Sequence, residues 1–98
     1  MATVLLVATL SFGLMPTAMA ATYGPFNKSC SPQYVEVQSY ARVTVHHYYP
    51  SNSLKWTWVQ QNFTTRKTHT GVQSTSWKVE ANDAIQVSGT KANCVGVG

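Results

Sequence analysis

A long run of alternating apolar and polar residues, from Tyr34 to Tyr49, constrains the fold more than any other feature of this sequence. The apolar or small residues are Val35, Val37, Ser39, Ala41, Val43 and Val45, and the mainly polar ones between them include Glu36, Gln38, Arg42, Thr44 and His46. A period of two residues is typical of a β-strand with one buried face. Because sixteen residues exceed the usual strand length, the run predicts a bend or bulge near residues 39–40, or a strand that passes between two sheets.

Turns and further strand-like stretches follow along the chain. Residues 50–53 have turn composition, and residues 54–63 resume the alternation, which predicts a β-hairpin with the preceding strand. Residues 64–70 are rich in threonine and basic side chains, as in an edge strand or an exposed loop. Residues 72–81 alternate again, and residues 84–89 are predicted to form the last strand.

The chain beyond residue 20 is therefore predicted to be all-β. No stretch of it has the 3.6-residue apolar period of an amphipathic helix, and Val, Thr, Tyr and Trp are common throughout. Residues 21–33 are rich in turn-forming residues and are interpreted as an extended arm ahead of the first strand. The pattern predicts a small antiparallel β-sandwich of four to six strands, or a partly closed barrel.

The first twenty residues differ from the rest and are interpreted as a signal peptide. They carry no charge, and their apolar run of about eleven residues is too short to span a bilayer as a helix, which takes about 20. Residues 18–20, Ala-Met-Ala, match the small-residue pattern that signal peptidase accepts. We expect a cleavable signal peptide at residues 1–20 and one secreted domain at residues 21–98, with no transmembrane anchor after processing.

The two cysteines are predicted to form a disulfide. A domain of 78 residues buries too little surface to be robust without a covalent or metal staple. Cys30 and Cys94 lie near the two ends of the predicted mature chain, and an exported protein meets oxidising conditions. Closing so long a loop stabilises a domain by roughly 4 kcal/mol in the chain-entropy model. Neither cysteine has His or carboxylate neighbours at metal-binding spacing, so no metal site is predicted there.

Trp56 and Trp58 are the first candidate binding residues. Alternation places them on one face of a strand, together with Leu54. One interpretation has them fill the core against Val43, Val45 and Val79. The other has them exposed as two aromatic platforms, about 7 Å apart, for the rings of a sugar or an envelope polymer.

The segment from His46 to Tyr49 supplies further candidates. Adjacent strand residues point to opposite faces, so His46 and His47 cannot both hold one ion in a regular strand, and no metal ligands are predicted. His46, Tyr48 and Tyr49 are instead candidates for contact with a ligand.

The sequence favours binding over catalysis. The carboxylates are few, namely Glu36, Glu80 and Asp83. No serine lies in a nucleophile elbow, and no glycine-rich phosphate loop occurs. We therefore predict no catalytic residue, no cofactor and no enzymatic activity.

Positive charge suggests the kind of partner. Seven Lys and Arg against three Asp and Glu give a net charge of +4, and all of these residues follow the signal peptide. The local cluster at Arg66, Lys67 and His69 is either a solubilising, edge-protecting surface or an attraction for an anionic partner. For an exported protein the expected partner is an anionic cell-envelope polymer or glycan, or an extracellular protein, and not nucleic acid.

The arrangement of these motifs resembles known secreted proteins. An early cysteine, a strand that ends in His-Tyr-Tyr, the stretch Ser-Thr-Ser-Trp-Lys-Val-Glu-Ala at residues 74–81 and a final cysteine are similar to the small single-disulfide secreted proteins of actinobacteria. That resemblance spans residues 30–94 and implies a secreted β-sandwich. The stretch His46-His47-Tyr48-Tyr49-Pro50 is also similar to the hairpin of lactococcin 972-type bacteriocins.

Taken together, the sequence predicts a secreted, non-enzymatic small β domain that binds at the cell envelope or to an extracellular partner. The first alternative is a secreted antibacterial protein, as the bacteriocin resemblance implies. The second is an extracellular enzyme inhibitor that presents a rigid loop, at residues 50–53 or 66–71.

Overall fold

The computed structural model describes residues 21–96, and within them it is an antiparallel, nearly all-β domain, as predicted. The strands are β1 (Ala21–Ser29), β2 (Tyr34–Tyr48), β3 (Leu54–His69), β4 (Ser74–Ala81) and β5 (Lys91–Val95), with a short 3-10 helix at Val87–Gly89. Five strands in this part of the chain fall within the predicted range of four to six. The predicted signal peptide at residues 1–20 lies outside the described residues. Within them, no helix is long and apolar enough to cross a membrane.

Strand β2 is the centre of the sheet. The strand order is β1, β4, β2, β3, so β3 runs along one edge of β2. The other edge is shared, because residues 34–38 pair with β5 and residues 45–48 pair with β4. The two halves of β2 therefore have different neighbours on the same side.

The predicted bend lies in the middle of β2 and folds the sheet into two facing layers. The register with β3 shifts between Ala41 and Val43, and Val43 has a φ of 74°, which a β-branched residue rarely adopts. Beyond the bend the two halves of β2 face each other, since Ser39 Oγ lies 2.7 Å from His47 Nε2. In a straight strand eight residues span about 26 Å. The bend lies between residues 41 and 43, a few residues after the predicted position at residues 39–40.

The core lies between the two layers. Its buried apolar side chains are Val35, Val37, Ala41, Val45, Tyr49, Trp77, Val79 and Ala81. Those in β2 and β4 lie at the odd-numbered positions of the alternation, whereas Tyr49 directly follows β2. Val43 is the exception, since it was predicted to pack against the tryptophans and is instead 38% exposed at the bend. Burying a valine completely is worth about 1.5–3 kcal/mol, so the four fully buried valines are a major source of stability.

Two local predictions were wrong. The segment taken as an extended arm contains β1, which pairs with β4 and approaches it so closely at Gly24 that a Cβ there would lie 2.9 Å from the Cβ of Lys78. Residues 84–89 form no strand and contribute one bridge, from Ile85 to Ala41, before the 3-10 helix. The last strand is β5.

Strand β3 agrees with the edge-strand interpretation of the basic stretch, and only the position of Leu54 differs from the prediction. It continues from residue 54 to residue 69 as one edge strand, so the basic stretch is part of the sheet and not a loop. A register shift takes Leu54 opposite Tyr48, whereas Trp56 lies opposite His47. Because directly opposed residues share a face, Leu54 is on the other face from Trp56 and Trp58.

The disulfide ties the two layers together across the open side of the fold. On one side the layers are continuous, since β3 follows β2 through the bend. On the other side β1 is the edge of one layer and β5 is the edge of the other. Cys30 directly follows β1, Cys94 lies in β5, and their Cα atoms are 5.3 Å apart in the predicted disulfide.

Candidate functional site

The candidate residues from the sequence lie in three separate places. Tyr49, Trp56, Trp58 and Arg66 form one group between the layers, on the β3 side. His46 and Tyr48 lie on the outer face of β2. Lys67 is exposed next to Arg66 on β3, where side chains alternate between the faces. These side chains do not form one binding surface.

Trp56 and Trp58 stack on each other. Their ring centroids are 6.1 Å apart and the planes are nearly parallel, at 7°. The guanidinium carbon of Arg66 lies 5.4 Å from the centroid of Trp58, in a cation–π arrangement. The two rings therefore cover each other instead of presenting two separate platforms. Trp56 remains 50% exposed, whereas Trp58 packs against the core.

Hydrogen bonds hold Trp56 and Arg66, the two outer members of this stack, in place. Trp56 donates from Nε1 to Tyr49 Oη at 2.9 Å, and the Tyr49 hydroxyl donates to the carbonyl of His69 at 3.2 Å. Arg66 donates from Nε to Gln60 Oε1 at 3.0 Å. Tyr49 is only 3% exposed, so it supports the stack and cannot itself contact a ligand.

His47 is a buried polar residue that the site prediction did not include. Nδ1 lies 2.9 Å from Thr68 Oγ1, Nε2 lies 2.7 Å from Ser39 Oγ, and the ring packs edge-on against Trp58. Burial lowers the pKa of His47 to about 4, so the ring is neutral at ordinary pH. A serine beside a histidine can act as a nucleophile and its base, but here both side chains are fully buried and the third partner is a threonine.

The outer face of β2 and β4 carries a compact charge cluster. The hydroxyl of Tyr48 donates to Glu80 Oε1 at 3.0 Å, and Lys78 Nζ lies 3.2 Å from Glu80 Oε2. Burial raises the pKa of Glu80, but hydrogen bonds from Tyr48 and Lys78 outweigh it and hold that pKa below its usual range. Burial, and then the nearby carboxylate, raise the pKa of Tyr48. His46 Nδ1 lies 2.9 Å from Thr57 Oγ1. The polar groups of this outer face therefore already have hydrogen-bonding or ionic partners within the protein.

A cleft on the open side of the fold is the best-formed candidate site. Its volume is about 200 Å³, and we call it the aromatic cleft: it is lined by Tyr23, Phe26, Asn27, Lys28, Trp77, Thr90, Lys91 and Ala92. Three rings form its apolar part. The centroid of Phe26 lies 4.7 Å from that of Tyr23 and 5.3 Å from that of Trp77. Such ring clusters are rigid and provide a large apolar area.

The aromatic cleft combines an accessible ring with positive charge. Phe26 is 41% exposed, whereas Trp77 is 5% exposed and underlies the rings as part of the core. Lys28 approaches from β1 and Lys91 from β5, so the two ammonium groups belong to different layers. No carboxylate is among the residues within 21–96 that line the cleft.

The hydroxyl of Thr90, one of the polar groups in the cleft, already has hydrogen-bonding partners within the protein. The hydroxyl of Thr90 donates to the carbonyl of Gln86 at 2.9 Å and accepts from the backbone N–H of Tyr40 at 3.1 Å. Its role is to hold the start of β5 in position. Asn27 also borders the cleft, but it pairs with Ser76, so its side chain lies on the face of β1 opposite to Phe26 and Lys28.

Sequence reasoning did not find this cleft because its members come from distant parts of the chain. Tyr23 and Phe26 lie in the segment that was interpreted as an arm, and Lys91 follows the segment that was taken as the last strand. Phe26 meets Trp77 only because β1 pairs with β4, where these two residues are directly opposed. The usable signal was the density of aromatic residues close to Lys28.

Comparison with known proteins assigns no relative to the chain. No family model, no curated protein and no solved structure matches it. Within the described residues no three His, Cys, Asp or Glu side chains are grouped as metal ligands would be.

Proposed function

We propose that this chain is a secreted, non-enzymatic β domain that binds a partner at the cell envelope or outside the cell. The aromatic cleft is the binding site, and the partner is an anionic envelope polymer or glycan, or an extracellular protein. Residues 1–20 are the signal peptide that directs export. The closed disulfide and the net charge of +4 are compatible with an oxidising exterior and an anionic partner.

The observation that carries the proposal is the exposed ring of Phe26 beside two lysines. The ring of Phe26 packs against Tyr23 and Trp77 but remains 41% exposed in the folded domain. Concave apolar surfaces with a few convergent polar groups are the usual form of ligand sites. Lys28 and Lys91 provide those groups at the rim.

Co-sedimentation with insoluble cell walls tests the proposal. We expect the purified exported protein to sediment with the walls, and we expect Phe26→Ala to weaken this binding about fivefold, since an aromatic contact is worth on the order of 1 kcal/mol. Val59→Ala is the matched control, because Val59 is 76% exposed on β3 and outside the cleft. Phe26→Leu keeps an apolar side chain there if alanine affects folding.

Two results would overturn the proposal. One is a wild-type protein that binds neither cell walls nor any extracellular protein of the same culture. The other is binding that Phe26→Ala, Phe26→Leu and Val59→Ala all leave unchanged.

The two alternative functions have distinct readouts in the same preparation. A secreted antibacterial protein inhibits the growth of neighbouring bacteria, whereas a wall-binding domain sediments without killing. An enzyme inhibitor blocks a hydrolase through a rigid loop. Of its two candidate loops, the first four residues of 66–71 lie in β3, while residues 50–53 form a turn closed by a 2.8 Å hydrogen bond from Tyr49 N–H to the carbonyl of Ser53.

A further inference from the structure

We infer that the aromatic cleft binds a sugar ring that carries a phosphate group, with the ring against Phe26 and the phosphate between Lys28 and Lys91. This inference rests on the proposed function and names the class of ligand. It follows from the size of the cleft, the chemistry of its walls and the type of cation at its rim.

The volume of the cleft limits the size of the ligand. Sites for drug-sized molecules usually enclose about 300–1,000 Å³. At about 200 Å³ the aromatic cleft accommodates one ring-sized unit. Because the cleft is open to solvent along the edges of β1 and β5, the rest of a polymer can continue outside it.

The walls of the cleft match the two kinds of surface on a sugar. The face of a pyranose ring carries C–H groups, which pack on the exposed ring of Phe26 as other apolar groups do. Its edge carries hydroxyls, which need hydrogen-bonding partners. Lys28 lies on the same face of β1 as Phe26, since their partners Thr75 and Trp77 are both buried, and its ammonium group supplies donors.

The cations at the rim favour a phosphate over a carboxylate. Lysine acts as a point charge with three donors and commonly binds phosphate, whereas the planar fork of arginine suits carboxylates and phosphates alike. The cleft has two lysines, and neither of the arginines in the chain lines it. A phosphate monoester carries up to about two negative charges at neutral pH, which two ammonium groups neutralise.

A phosphate held in this way bridges the two layers of the fold. Lys28 belongs to β1 and Lys91 to β5, and these edges are already fixed to each other by the disulfide between Cys30 and Cys94. The two strands that carry the lysines are therefore fixed relative to each other before the ligand arrives, which lowers the entropic cost of binding.

Titration followed by NMR of the exported protein tests the inference. Glucose 6-phosphate is the probe, and glucose, inorganic phosphate and glucuronate are compared with it at equal ionic strength. We expect glucose 6-phosphate to shift the resonances of Phe26, Asn27 and the Trp77 indole. We expect it to bind about tenfold more tightly than each of the other three, which corresponds to about 1.4 kcal/mol.

Charge variants distinguish binding by the two cleft lysines from attraction by the net positive charge of the domain. Lys28→Gln and Lys91→Gln are each expected to weaken binding of glucose 6-phosphate about threefold, as partly exposed ion pairs do, and to reduce its dependence on salt. Lys55→Gln, which removes an exposed lysine of β3 outside the cleft, is the control and should change neither.

Three results would overturn the inference. They are equal binding of glucuronate and glucose 6-phosphate, equal effects of the Lys28, Lys91 and Lys55 variants, and the absence of any shift at the cleft. Binding to cell walls that Phe26→Ala weakens would still stand in each case. The ligand class can therefore fail without the proposed function failing.

Discussion

Ser39 Oγ and His47 Nε2 lie 2.7 Å apart, although both residues belong to the same strand and eight positions separate them. A straight strand would hold them about 26 Å apart. The contact therefore exists only because β2 folds back on itself at Val43, and it places a neutral histidine between the two layers. Several properties of the domain depend on this bend.

The first prediction concerns acid stability. His47 has a pKa of about 4 when folded and about 6.5 when unfolded, so the unfolded chain binds the extra proton between these values. The contribution of the neutral histidine to stability is thus complete above pH 6.5 and is lost as the pH falls toward 4. We expect a loss of about 3 kcal/mol in the free energy of unfolding, measured by urea denaturation across this range.

A control for the acid effect is available in the neighbouring histidine. His46→Asn should keep the loss, whereas His47→Gln should abolish most of it. If His47→Gln does not fold, an NMR titration of the wild-type ring gives the same information. A pKa for His47 near the ordinary histidine value would contradict the prediction.

The second prediction concerns Val43. A β-branched residue at a φ of 74° is strained, and the side chain is 38% exposed, so it contributes little to the core. Val43→Gly should therefore raise the free energy of unfolding by about 1 kcal/mol. The matched change Val45→Gly, in a fully buried strand position, should lower it by more than 2 kcal/mol, as the loss of a packed side chain does. Thermal denaturation of both variants checks the two signs, and a destabilised Val43→Gly variant would disprove the argument.

The third prediction concerns the disulfide. Replacing Cys30 and Cys94 with alanine removes the covalent tie across the open side and should lower the free energy of unfolding by roughly 4 kcal/mol. The edges of β1 and β5 then separate more easily, so ligand binding at the cleft should weaken while the stack of Trp56 and Trp58 is retained. Denaturation and the cleft resonances report these two effects. Undiminished stability of the double variant would show that the tie is dispensable.

The fourth prediction concerns the tryptophans. Trp56 is half exposed, whereas Trp77 is 5% exposed and Trp58 lies between Trp56 and the core. Iodide should therefore quench mainly Trp56, and Trp56→Phe should remove most of the quenching. Trp58→Ala should destabilise the domain by about 2 kcal/mol and Trp56→Ala by about 1 kcal/mol, because Trp58 has more contacts to lose. Equal quenching of all three residues would contradict the stacked geometry.

The local patterns of the sequence predicted those parts of the fold that depend on one strand at a time. The alternation of residues 72–81 placed Gln73, Thr75, Trp77, Val79 and Ala81 on one face, and all of these except Gln73, which precedes β4, are buried. The disulfide was predictable because the sequence has only two cysteines. The turn at residues 50–53 was predictable from its composition.

What the sequence did not predict depends on pairing between distant strands. β1 was missed because Gly24 and Pro25 interrupt its alternation, and its partner β4 lies about fifty residues away. Leu54 lies on the other face from Trp56 because of a register shift, which the periodicity of the sequence does not reveal. The aromatic cleft was missed for the same reason, since Phe26 and Lys91 meet only across the open side of the fold.

The three tryptophans allow one direct test of where the partner binds. Purified cell-wall polymer is titrated into the exported protein while the indole N–H resonances of Trp56, Trp58 and Trp77 are recorded. We predict a saturable shift at Trp77, beneath the aromatic cleft, with Trp56 and Trp58 unchanged. A shift confined to Trp56 and Trp58 would place the partner on the tryptophan stack and contradict the assignment of the cleft as the binding site.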